Sequence, residues 1–232
     1  ALGGSYASGT DSFAAAVANN TSSYGAQGAN SLAIGRLCLA SGATSFAAGN
    51  VSIASGTSSV SIGQQSSAVG NHTFASGLSA NALEYGKFAR ASGSFASLGD
   101  AQTGMLVEKA ATTDATSTAV TSTGTAANTT NPLSLPNNSA FAFDGIIVAR
   151  QQAAGGTQSA AWQVSGLIRR EGTAATTTLV ASTVTAISNA PGWTLALSAD
   201  TTNGGLAVTF TGAAATNIRT VATLRSSEVT YA

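Results

Sequence analysis

The sequence predicts an all-β chain, in which a Gly-punctuated parallel β-roll of 14-residue coils is followed by an antiparallel β-sandwich or jelly-roll-like domain. Three observations carry that reading. Glycine recurs every seven residues from Gly28 to Gly77. Only 8% of the 232 residues are charged, far below the roughly 25% of ordinary soluble domains. The second half breaks into short β-prone runs separated by turn residues. The expected domains are a roll over 1–99, a connector over 100–136 and a sandwich over 137–232.

The internal period decides the fold of the first half. Gly28, Gly35, Gly42, Gly49, Gly56, Gly63, Gly70 and Gly77 mark the structural turns of the array. Short runs precede them: Ser31-Leu32-Ala33-Ile34, Ser45-Phe46-Ala47-Ala48, Ser52-Ile53-Ala54-Ser55, Ser59-Val60-Ser61-Ile62 and Thr73-Phe74-Ala75-Ser76. Irregular copies include Ser5 to Gly9, Ser12 to Ala16, and runs ending at Gly86, Gly93 and Gly99. A seven-residue period also fits a coiled coil. There, however, each interior Gly costs about 1 kcal/mol relative to Ala, so the series would cost roughly 8 kcal/mol. The sequence also has no e/g charge pairs to select a partner. The helical reading fails.

As strands, the runs place bulky residues three positions before each Gly: Leu32, Leu39, Phe46, Ile53, Val60 and Phe74. Ile34, Ile62 and Val69 share that face, because strand side chains alternate with period two. Between them lies Ala33, Ala40, Ala47, Ala54, Ala68 or Ala75. One face is bulky and the other very small. Gly is expected to turn the chain, since it adopts positive φ without steric cost. Two units then make one coil, and stability comes from stacking coils. The Ala face permits close approach either inside the roll or against sister chains.

Asp11 and Arg36 are the only charges between Ala1 and Leu83, which points to a Ser/Thr/Asn-rich surface with apolar area buried between chains. Nine basic and nine acidic residues cancel, and no basic stripe offers a footprint for nucleic acid. No run approaches 18 apolar residues, and no charged leader opens the chain, so neither membrane insertion nor a signal peptide is expected. The start inside repeat-like sequence points to an upstream part. The single Cys38 stands where the repeat has Ser and is read as a substitution there.

In the second half, residues 110–131 are rich in Thr, Ala, Ser and Asn and are read as strand or linker. Pro132 and Pro136 mark a turn. Expected strands are Ala140–Gln151, Ala160–Glu171, Thr176–Ile187, Thr194–Ala199, Gly205–Thr211 and Ile218–Thr230, with a hairpin turn at Asp200 to Gly205.

Catalytic content is thin. The single His72 follows a repeat Gly and is read as an exposed turn residue, too peripheral for three copies to meet as a metal site on a trimer axis. Neither a zinc set nor a Ser-His-Asp signature is present, so no cofactor and no metal are expected. Glycan cleavage needs only two carboxylates, but the acids are scattered, and Glu171 and Asp200 read as paired or solvated. The expectation is a chain that is not an enzyme. For sugar binding, Trp193 after Pro191-Gly192 and Tyr231 near the end are the candidate receptor-binding residues, with packing the competing reading, whereas Trp162 reads as core.

The SxAxG units over about 5–99 resemble the head repeats of trimeric autotransporter adhesins, a resemblance that implies a left-handed parallel β-roll assembled as a homotrimer. The sequence shows neither the long coiled-coil stalk nor the C-terminal membrane anchor of those adhesins, and similar repeats occur in phage tail fibres. Over 100–232, Leu135-Pro136-Asn137-Asn138-Ser139 with Phe143-Asp144-Gly145, Ala161-Trp162 with Gly166-Leu167-Ile168, and Leu197 to Gly204 resemble C-terminal domains of phage tail fibre proteins. This implies a virion tail fibre segment, a trimeric shaft and tip that binds host surface polysaccharide or lipopolysaccharide through several weak sites at once. The alternatives are a bacterial surface adhesin head that binds a host matrix protein, and a structural fibre spacer.

Overall fold

The computed structural model describes residues 5–15, 22–152, 156–190 and 192–231. Ala16, at the end of an early irregular run, and Pro191 lie outside the described residues. Two compact units are present, one up to Gly104 and one from Met105 to Tyr231.

In the first unit, longer strands alternate with two-residue strands. They are β1 (Phe13–Ala15), β2 (Gly25–Ala26), β3 (Leu32–Arg36), β4 (Leu39–Ala40), β5 (Phe46–Asn50), β6 (Ile53–Ala54), β7 (Val60–Gln64), β8 (Ser67–Ala68), β9 (Phe74–Leu78), β10 (Asn81–Ala82) and β11 (Phe88–Ser92). Odd-numbered strands form one parallel sheet and even-numbered strands another. Leu32 pairs with Phe46, Phe46 with Val60, Val60 with Phe74 and Phe74 with Phe88. Each step is the 14-residue coil expected from paired seven-residue units, and the unit is a β-solenoid.

The Ala face is the interior. Ala33, Ala40, Ala47, Ala54, Ala68, Ala75, Ala82 and Ala89 are fully buried. Two inner faces lined with Ala leave room for little else, so the bulky residues stand outside. Leu32, Phe46, Val60 and Phe74 are half-buried by their stacked neighbours, while Ile34 and Ile62 are exposed. Phe74 and Phe88 stack at 4.8 Å. The small polar residues close the coil corners. Ser45 Oγ donates to the Gly42 carbonyl and Ser59 Oγ to that of Gly56, both at 2.7 Å. At the other corner Ser52 Oγ donates to Gly63 O at 2.8 Å, and Cys38 Sγ makes the equivalent bond to Gly49 O at 3.3 Å.

The glycines fall into two groups, and the difference corrects the expectation that Gly turns the chain. Gly49 has φ +121° but lies within β5. Gly42 has no positive φ; a Cβ there would lie 2.0 Å from the Gly56 carbonyl oxygen of the next coil. The left-handed turn positions are held by Leu37, Thr44, Val51, Ser58, Gln65 and His72 instead. Left-handed backbone costs an L-residue roughly 1–2 kcal/mol. Hydrogen bonds to the preceding coil, such as Thr44 N–H to Ala29 O at 2.8 Å, hold it. Glycine is required by close coil stacking more than by turning.

The second unit contains β12 (Ala101–Thr112) from Met105 on, with β13 (Ser117–Val120), β14 (Leu133–Ser134), β15 (Ser139–Gln151), β16 (Ser159–Arg170), β17 (Thr178–Ser188), β18 (Thr194–Asp200), β19 (Gly205–Thr211) and β20 (Ile218–Thr230). The expected strands appear within two residues of their ends. The stretch read as a connector contributes β12, β13 and β14, because Thr-rich sequence serves equally well in strands. The larger sheet runs β12-β20-β15-β16-β17; in the smaller one β19 pairs with β13, β14 and β18. The β15–β16, β15–β20 and β18–β19 pairs are antiparallel. One core joins the two sheets: Phe141, Ile147, Trp162, Val164, Ile168 and Leu224 meet Val120, Leu133, Leu206, Val208 and Phe210. The β18–β19 hairpin turns where expected, with Gly204 at φ +81° and the Asp200 carboxylate accepting from the Thr202 and Asn203 amides.

Candidate functional site

Trp193 is not a binding platform. Gly192, at φ +79°, turns the chain ahead of β18, and Trp193 is 1% exposed with its ring edge-on to Phe210 at 6.0 Å. Its apolar area outweighs the unpartnered indole Nε1 it carries into the core. Trp162 packs on the same Phe210. Tyr231 is 86% exposed, and its backbone amide donates to Asn138 O at 2.8 Å. His72 is exposed at a turn, its ring edge-on to Tyr85 at 5.0 Å.

Several acids have local partners. Asp100 accepts from the amides of Phe95, Ala96 and Ser97, and these bonds, Ser97's first, hold its carboxyl below the usual range. Asp144 pairs with Arg225, and Glu171 lies 4.0 Å from Arg169. Glu228 accepts from Ser226 Oγ at 2.6 Å. Glu108, on the inward face of β12 with Leu106 and Ala110, is fully buried, and neither carboxyl oxygen makes a well-formed hydrogen bond. Desolvation pushes it well above the usual Glu range, opposed by the Leu133 backbone. Among the described residues no three His, Cys, Asp or Glu side chains cluster as metal ligands.

A concave feature of the second unit lies on the outer face of its larger sheet. There β15 and β20 run antiparallel with Arg150 opposite Arg219 and Val148 opposite Val221. These four, with Ala111 and Thr112 of β12 and with Gln151, Gln152, Asn217 and Ile218, line a cleft of about 760 Å³. Arg219 and Val221 also border a smaller hollow of about 290 Å³ beside Lys109 and Thr123. The Gln152 and Asn217 amides bond to each other at 3.0 Å, and Arg150 Nη1 donates to Ser159 Oγ at 3.3 Å. The period-two runs Val148-Ala149-Arg150 and Arg219-Thr220-Val221 are visible in the sequence. Their facing register, which makes the site, is not.

No protein-family profile matches the sequence, and no curated protein is similar to it. Among solved structures the chain is similar to a tailspike protein of Acinetobacter baumannii bacteriophage Fri1, a capsular polysaccharide depolymerase. The TM-score is 0.30 at 14% identity, over 55% of this chain and 18% of that one. It is also similar to the tailspike protein of Acinetobacter baumannii phage AM24, with TM-score 0.27 and 10% identity over 91% of this chain and 42% of that one. The chain thus spans less than half the length of either.

Proposed function

We propose that this chain is a segment of a homotrimeric phage tail fibre that binds host cell-surface polysaccharide during adsorption. The observation that carries the reading is the inside-out roll. Its interior holds only small side chains, while Leu32, Phe46, Val60, Phe74, Ile34 and Ile62 point outward. A row of such residues along stacked coils makes a repeating apolar surface suited to sister chains, which also accounts for a chain with so little surface charge. In the second unit, β17 leaves Val180, Val184 and Ile187 exposed along an unpaired edge, a second surface that favours assembly.

In this reading the roll assembles the fibre and the sandwich meets the host. Three copies of a weak saccharide site act together through avidity. The test is competition. The purified chain, added to cells of a capsulated host strain, should block adsorption of the phage that carries it. Failure to bind any capsulated strain would leave the fibre as a spacer. Release of reducing sugar from the capsule on incubation would replace binding with cleavage.

A further inference from the structure

We infer that the Arg150–Arg219 cleft is a binding site for an acidic saccharide, its two guanidinium groups holding a carboxylate or phosphate on the sugar. The inference rests on the polysaccharide-binding reading above and names the ligand class. Three observations carry it. Arg150 and Arg219 stand directly opposite each other across β15 and β20. Like charges in that position repel, an arrangement that an anion between them relieves. Neither has a carboxylate partner among the described residues, although Arg169 and Arg225 of the same unit both do. The acids nearest in sequence, Asp144 to Arg150 and Glu228 to Arg219, are engaged by Arg225 and Ser226, and Asp114, beside the cleft-lining Thr113, accepts from the Thr116 amide at 2.7 Å.

The rest of the cleft suits a sugar. Val148, Val221 and Ala111 offer an apolar floor to the C–H face of a pyranose, and the Gln152 and Asn217 amides stand at the rim for hydroxyl groups. Lys109, bordering the adjoining hollow with Arg219, extends the positive charge for a second acidic unit along the same chain. Guanidinium groups bind carboxylate and phosphate through paired, charge-assisted hydrogen bonds, so either anion fits the chemistry.

Calorimetric titration of the full chain at low salt tests this with three probes: trigalacturonate, its carboxyl-reduced neutral trisaccharide, and a glycerol-phosphate oligomer. One or both anionic probes should bind and the neutral one should not. The pair of anionic arms identifies the carboxylate or the phosphate as the recognised group. Arg150→Gln with Arg219→Gln should weaken that binding by roughly tenfold or more, with unfolding unchanged. Arg169→Gln, at the other end of β16, should leave it intact. Equal binding of the neutral probe, or anionic binding indifferent to Arg150→Gln and Arg219→Gln, overturns the inference. So does a cleft covered by a second copy, seen as a smaller assembly mass in the Arg150→Gln/Arg219→Gln variant with no probe binding to the parent. The two levels separate cleanly. Blocked phage adsorption without anionic-probe binding leaves the function and removes the site. Arg-dependent probe binding without blocked adsorption does the reverse.

Discussion

Lys87 Nζ lies 3.1 Å from the Glu84 carboxylate, and both side chains are buried. Counting back by 14 places Lys87 at the position of Thr73, Ser59 and Ser45, and Glu84 at that of Gly70, Gly56 and Gly42. The ion pair therefore replaces, in the last coil, the hydroxyl-to-glycine-carbonyl bond that Ser45, Ser59 and Thr73 make in the three coils before it. Gly42 and Gly56 must lack a Cβ because the next coil's carbonyl sits 2.0 Å or less from where it would be. With no further repeat coil to stack on residue 84, a long side chain fits.

That pair should anchor the end of the roll. Breaking a buried ion pair on one side typically costs about 3–5 kcal/mol. Glu84→Gln or Lys87→Met is expected to lower the unfolding free energy of the first unit by that order. Glu84→Gln combined with Lys87→Met should lose clearly less than the sum of the two. Additive losses in a double-mutant cycle would show that the pair is not coupled.

The stacking glycines should be far less tolerant than others. Gly42→Ala forces a Cβ onto the Gly56 backbone and is expected to cost more than about 4 kcal/mol or to prevent folding. Gly172 has open space around it and no positive φ, so Gly172→Ala should stay within about 0.5 kcal/mol. Chemical denaturation of the two variants makes the comparison.

Glu108 and Asp100 should make pH-dependent contributions of opposite sign. Burial raises Glu108 in the folded second unit, so its contribution is fully present below the ordinary Glu value near about 4.3 and is lost as pH rises through the raised folded value. The slope across that window is about 1.4 kcal/mol per pH unit. Asp100 is lowered in the first unit; its contribution is present above its unfolded value and disappears as pH falls through the folded one. Trp162 and Trp193 both lie in the second unit, so tryptophan fluorescence follows that unit, where Asp114, held low by the Thr116 amide, acts in the opposite sense to Glu108. Glu108→Gln should flatten that pH slope and raise stability at neutral pH.

The outward face of the roll should hold the assembly together. Light scattering after size exclusion is expected to give about three times the 22.6 kDa chain mass. Phe46→Asp with Val60→Asp, adjacent on the outward ladder, should shift it toward the single-chain mass. A stable monomer of the parent chain sinks the trimer.

What the sequence by itself determined is whatever follows from local period and local sterics. The seven-residue Gly spacing and the Ala positions specify a 14-residue coil, because only that geometry repeats a bulky and a small residue so regularly. Likewise Asn203-Gly204 specifies a hairpin, since the turn needs a residue at home at positive φ. The equivalence of Cys38 with Ser52 follows from the same period. The tertiary structure alone decided which face of the roll is inside, because a strand's two faces are symmetric until a second sheet packs on one of them. It put Ala inside and left Phe46 and Val60 outside. It moved the requirement for glycine from turning to stacking, since the clash at Gly42 comes from a coil 14 residues away. It buried Trp193 and Glu108, whose neighbours cannot show what lies across the sandwich. And it set Arg150 against Arg219, a pair 69 positions apart that only strand register brings together.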